Sequence, residues 1–281
     1  MAHAALRSAP EWAAAKACFA SPLFDGVRSA LEPLSGLPNW PTLDDLNAEA
    51  KGLTNARGLP LRFVASPTGA SAMQYESRIA ETGEIASREC NWHDLFNACA
   101  WLSFPAAKGA ISDMHAELLA ERGEDEARAR SVERDVLTLL DEGGIAIACA
   151  DPELGEAIRG FRWRELFWDR REACLSGLRC FLFGHAQLEK ALNPYVGVTA
   201  RAVIVPVGEV FLGASREAQV AVIDQHLARW LGKRSHLSST HRLHPFPYLG
   251  MPGWFAANGD AAFYDNANYF RSGRRATTPM G

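Results

Sequence analysis

Three histidines lie where a solvated surface would not put them. In Trp92-His-Asp-Leu-Phe-Asn-Ala-Cys-Ala-Trp-Leu-Ser-Phe104, Asp94 is the only charged residue between Cys90 and Ala107, with His93 and Asn97 beside it. On a helix Trp92, Leu95, Phe96, Cys99 and Leu102 share one face, and the three polar side chains share the other. His115 falls on a stripe with Ile111, Met114, Leu118 and Leu119, and His185 on one with Leu178, Phe181, Leu182, Leu188 and Leu192, with Glu189 one turn on. Asp141 closes an apolar run and adds a carboxylate. Imidazoles and carboxylates converging from separate helices suit a divalent metal. The sequence therefore suggests a metal-dependent hydrolase. His93, His115, His185 and Asp141 would be ligands, Asp94 a ligand or a support for one, and Glu189 and Asp94 the acid and base groups. Arg78, Arg88, Asn97 and Lys108 lie close enough in sequence to hold a small or phosphorylated substrate.

No diagnostic spacing supports this chemistry. The HExxH pair of metalloproteases is absent, as are the GxSxG elbow, a Walker loop and GxGxxG. Buried histidines also serve as hydrogen-bonding members of a core. The alternative is a non-catalytic module that binds anions or nucleic acid. It would use Lys233, Arg234, His236, His241, Arg242 and His244 together with Arg271, Arg274 and Arg275.

The elements that would position these groups read as α+β. Residues 1–55, broken by Pro10, Pro22, Pro33, Pro38 and Pro41, read as a helical cap. Residues 61–65 read as a strand, and 75–89 as a hairpin turning at Glu81-Thr82-Gly83-Glu84. Asn91 suits the N-cap of a buried helix ended by Pro105, and a second helix follows to about Gly123. The charge-dense run 123–135 reads as a solvated face or linker. A second hairpin is expected from VLTLL and IAIACA around Asp141-Glu142-Gly143-Gly144, at the centre of one antiparallel sheet. Residues 163–192 show long helical periodicity interrupted near Ser176-Gly177, 198–207 read as a strand and 216–231 as a helix. The Pro- and aromatic-rich residues 232–281 read as a coil wrapping a single domain that comprises the cap, a core over 56–231 and this segment.

Composition narrows the class. With 29 Lys and Arg against 33 Asp and Glu, the formal charge of -4 provides no global field for nucleic acid or anionic lipid. Six scattered cysteines without a CxxC pair form neither a disulfide framework nor a zinc knuckle. The N-terminus lacks an uninterrupted apolar stretch and no window is long enough to span a bilayer, so a cytoplasmic, membrane-free protein is expected.

Several segments carry a family resemblance. YESRIAETGEIASRECNWHDLFNACAWLSFPAAKGAISDMH, RDVLTLLDEGG, FLFGHAQLEKALNPYVGVTARA and LGMPGW through FYDNANYFR resemble the proteobacterial family known as domain of unknown function 3025. The likeness runs from about Pro10 to Arg275, with WHDLFNA and LLDEGG its most specific strings. The chain departs from the pattern at Leu140, where an aromatic is common, and at Ser112, where Asn is. The resemblance implies a stand-alone cytoplasmic bacterial protein and assigns no activity to any residue.

Overall fold

The computed structural model describes residues 10–67, 72–126 and 131–273. The N-terminal cap contains α1 (Trp12–Ala15), α2 (Arg28–Ser35) and α3 (Leu43–Glu49); two 3-10 turns, Lys16–Ala20 and Pro22–Phe24, join α1 to α2, and Pro33 lies inside α2. Its rings do more than wrap: Trp12, Phe19 and Phe24 are buried against Trp92 and Phe96.

The strand expected at 61–65 is present, but the first expected hairpin, 75–89, is a helix and a strand. β1 (Arg62–Ala65) leads to α4 (Ala72–Thr82), and β2 (Glu84–Ser87) returns parallel to β1 with Arg62 opposite Glu84. Gly83 is no hairpin turn. At φ 74° it ends α4 in the left-handed region, and a Cβ there would strike the Pro60 carbonyl.

α5 (Trp92–Ser103) starts as expected, the Asn91 side chain accepting the Asp94 N–H at 3.0 Å. After Phe104, α6 (Pro105–Glu126) begins at once. Its first free N–H groups are capped from another helix: Asp224 accepts from Ala107 at 2.7 Å and from Ala106 at 3.1 Å.

The second expected hairpin is also a helix and a strand. α7 (Val132–Gly143) begins with the Ser131 side chain accepting from Arg134 N–H, and buries Val136, Leu137, Leu140 and Gly143 at helical spacing. The apolar run VLTLL suits a helix as well as a strand, and the cap decides it. Of the charged run 123–135, residues 127–130 lie outside the described residues, and 132–135 form the first turn of α7.

β3 (Gly144–Cys149) is wholly buried and is central. It lies parallel to β5 (Ala200–Pro206) and antiparallel to β4 (Leu178–Leu182), while β6 (His244–Phe246) pairs antiparallel with β5. The protein is therefore α+β with two small sheets, one parallel pair and one mixed sheet ordered β4-β3-β5-β6, and not a single antiparallel sheet. Between the strands lie α8 (Pro152–Arg159), α9 (Arg171–Gly177), α10 (His185–Ala191), α11 (Glu209–Leu212) and α12 (Arg216–Leu231).

The long helix expected over 163–192 is divided by β4, so His185 opens α10 instead of sitting mid-helix. Gly184 explains how. Its N–H donates to Gly144 O at 3.0 Å, and a Cβ on it would collide with the backbone at Gly143 and Gly144. Backbone touches backbone there, bringing the Asp141-Glu142-Gly143-Gly144 and Gly184-His185 strings together. No helix among the described residues is long and apolar enough to cross a membrane.

Candidate metal centre

Once Gly184 lies on Gly143 and Gly144, the last turn of α7 faces the first turn of α10. Asp141 and Glu142, consecutive on α7, then address opposite nitrogens of one ring. Glu142 Oε2 lies 3.5 Å from His185 Nε2, and Asp141 Oδ2 lies 3.5 Å from His185 Nδ1. That Nδ1 is buried and makes no hydrogen bond.

α5 brings the second ring edge-on, its centroid 4.4 Å from that of His185. His93 Nε2 lies 3.6 Å from Glu142 Oε2, and His93 Nδ1 is 3.1 Å from Asp94 Oδ1. Donor atoms of His93, Glu142 and His185 all fall within 4.8 Å of one another, so these three residues form a group that could hold a metal ion. Two donors at tetrahedral angle on one zinc ion, each at 2.0–2.1 Å, are about 3.4 Å apart. The two imidazole–carboxylate separations are close to that spacing.

Each supporting aspartate is fixed by a cation. Asp94 accepts from Arg88 Nε, Nη2 and backbone N–H, all at 2.8 Å. Asp141 accepts from the Lys108 ammonium, which also donates to Asn97 Oδ1 at 2.8 Å. Asn97 in turn donates to the Tyr75 hydroxyl at 2.7 Å, and Ser112 donates to Glu76 at 2.6 Å. Behind the metal group, α4, α5, α6 and α7 thus supply a buried polar network.

The charges follow from these contacts. Burial works to raise the Asp94 carboxyl, but Arg88 and His93 hold it well below the usual range. Burial likewise opposes ionisation of Asp141, and Lys108 and His185 outweigh it. His185 and His93 lower Glu142. Asp94, with Glu142, lifts the His93 imidazole to about 9. Burial, reinforced by Asp141, pushes Glu76 up to about 7. Burial pulls His115 down to about 4.

The raised His93 value gives a signed expectation. Its stabilising charge is fully present below about pH 6.5 and is lost as pH rises toward 9, so the metal-free protein should melt at falling temperature across that window. Thermal melts in chelator should show the slope for the wild type and a flatter one for His93→Gln. The same proton must leave before Nε2 can bind a metal, so metal affinity should rise over that interval.

The residues singled out from sequence fall into distinct places. His93 and His185 meet in the metal group, and Asp94 and Asp141 stand behind their rings. His115, on α6, is buried and within electrostatic reach of Asp141, but belongs to no such group among the described residues. Glu189 stands one turn beyond His185 on α10, and its field reaches Arg88. Arg88 keeps its side chain 59% exposed while gripping Asp94. Asn97 and Lys108 are buried behind the group, and Arg78 pairs with Glu84.

Glu142 is the donor that sequence reading missed. Had Ser131 been read as an N-cap, Asp141 and Glu142 would have fallen together on the last turn of one helix.

The basic loop is partly neutralised. Arg234 donates to Glu121 at 2.8 Å, and His236 stacks on Trp230 at 4.7 Å. Arg274 and Arg275 lie outside the described residues. All six cysteines are free, four of them buried.

Compared with known families, residues 61–274 match the family model described as "Protein of unknown function (DUF3025)". The chain belongs to the DUF3025 family. The matched region of this DUF3025 protein contains every residue of the metal group and of the network behind it. No curated protein and no solved structure matches the chain.

Proposed function

We propose that this DUF3025 protein binds one divalent metal ion through His93 Nε2, His185 Nε2 and the Glu142 carboxylate, and is a metal-dependent hydrolase. The observation that carries the reading is the two-sided use of both rings. Each imidazole turns Nε2 to the shared glutamate and Nδ1 to its own aspartate, and each aspartate is anchored by a basic side chain. Metal-ligating histidines are oriented this way, because a carboxylate on the far nitrogen fixes the tautomer and strengthens the donor.

Two imidazoles and one carboxylate, without a thiolate, suit zinc above softer ions and leave a coordination position for water or substrate. A bound divalent ion would supply Lewis acidity and a nucleophile at neutral pH. In this reading Glu189 is the base, Arg88 draws an anionic substrate through its exposed edge, and Lys108 and Asn97 keep Asp141 in place. His93 and Glu142 side chains are 36% and 44% exposed, so substrate would approach from their side.

Asp94→Asn should weaken metal binding about 10- to 100-fold without removing a ligand. Competition with a chromogenic chelator measures it, and an unchanged affinity would detach Asp94 from the site. The hydrolase reading is tested by assaying zinc- and manganese-loaded protein on 4-nitrophenyl esters and phosphoesters. Turnover should vanish with chelator and in Glu189→Gln. A loaded protein that hydrolyses none of them would leave the metal without a hydrolytic role.

A further inference from the structure

A cavity of about 350 Å³ lies against β4, and no residue of the metal group lines it. β4 ends the mixed sheet, so one of its sides pairs with β3 and the other has no strand beside it. The register fixes which groups face that open side. Phe183 N–H donates to Gly144 O at 3.2 Å and Ala150 N–H to Gly177 O at 3.0 Å, so the groups bonded to β3 are those of residues 177, 179, 181 and 183. Leu178, Cys180 and Leu182 therefore turn their N–H and C=O to the free edge.

Three positions on that edge differ. Leu178 N–H donates to Cys174 O, and Leu178 O accepts from Arg179 Nη1 at 2.7 Å. At Leu182 the chain itself closes the edge, because a Cβ on Gly26 would lie 2.4 Å from Leu182 O. Cys180 lines the cavity, and neither its N–H nor its C=O has a partner among the described residues. Such backbone groups cost free energy when left unpaired, and an added peptide unit satisfies both at once.

The charge beside this gap is positive. Arg179 makes no ion pair among the described residues, and its hydrogen bond to Leu178 O holds the guanidinium on the edge, next to the open position. Of the other charged lining residues, Arg216 lies 3.1 Å from Asp25, but Arg28 holds the same carboxylate, so two guanidinium groups share one negative charge.

We infer that this cavity binds the C-terminal end of a partner peptide. The penultimate residue pairs antiparallel with Cys180, donating its N–H to the Cys180 carbonyl and accepting the Cys180 N–H. The last residue then lies opposite Arg179 and brings its carboxylate to the guanidinium, which stops the added strand there. The volume is at the small end of ligand sites, which suits a few residues and not a long strand.

The probe is N-acetyl-alanyl-alanine, compared with its C-terminal amide and with a form methylated on the nitrogen of the first alanine. Calorimetric titrations of the full chain should show the acid binding at least about ten-fold tighter than the amide, and several-fold tighter than the N-methyl form. In protein carrying nitrogen-15 cysteine, the acid should shift the Cys180 amide signal. Arg179→Met should erase the difference between acid and amide, and Ala214→Trp, which puts a ring into the cavity, should abolish binding. Because Ala214 is exposed, its variant tests the idea even where Arg179→Met folds poorly, and urea denaturation verifies both. Equal affinity for acid and amide, an unmoved Cys180 signal, no binding at millimolar concentration, or full binding by a folded Ala214→Trp variant would each overturn the inference.

Discussion

His185→Ala is expected to lose stoichiometric zinc, with affinity lowered by more than about 100-fold. The magnitude follows from position: altering only a group that supports a ligand costs 10- to 100-fold, and this substitution removes a ligand outright. His185 is also the better anchored of the two rings. Its side chain is 5% exposed against 36% for His93, and carboxylate oxygens of Asp141 and Glu142 lie 3.5 Å from its two nitrogens. Zinc at one hundred times its dissociation constant should stabilise the wild type by about 2.7 kcal/mol and leave the variant's melting temperature unmoved. Competition titration and thermal melts report the two effects separately. A His185→Ala protein that kept its zinc would remove α10 from the site.

Lys108→Met should destabilise the protein by about 3–5 kcal/mol, the usual cost of stripping one partner from a buried ion pair. The Lys108 side chain is 4% exposed and that of Asp141 13%, so water cannot replace the lost ammonium. Urea denaturation of metal-free protein measures the loss. Pairing Lys108→Met with Asp141→Leu should recover much of it, because apolar replacement of both members of such a pair is often close to neutral. The double variant should still bind zinc weakly, since His185 has lost the carboxylate behind Nδ1. A single-variant loss below about 1 kcal/mol would instead mean that Lys108 is hydrated and free to meet a substrate.

Part of this architecture was legible in the residues. Asn91 and Pro105 framed α5, the apolar segment 198–207 marked β5, and the isolation of His93, Asp94 and Asn97 in an apolar segment announced buried polar groups. Two hairpins were misread for one reason. VLTLL and YESRIAET are short apolar-containing runs beside glycine, and periodicity over so few residues fits a strand or a helix. Ser131 and the left-handed Gly83 resolve them, and both signals are local. The strand β4 inside a helical pattern was not legible, because its identity comes from pairing with β3. Nor was the meeting of Gly184 with Gly143 and Gly144, a contact between segments about forty residues apart, on which the placing of Glu142 depends.

Crystals of the wild type grown with zinc, measured at the zinc absorption edge, test the central claim most directly. One anomalous peak is expected about 2.0–2.2 Å from His93 Nε2, His185 Nε2 and a Glu142 oxygen, with the Nδ1 atoms still turned to Asp94 and Asp141. A density map with His93, Glu142 and His185 in their mutual contacts and no anomalous signal between them would contradict it, and the three residues would stand as an ion-pair network of the core.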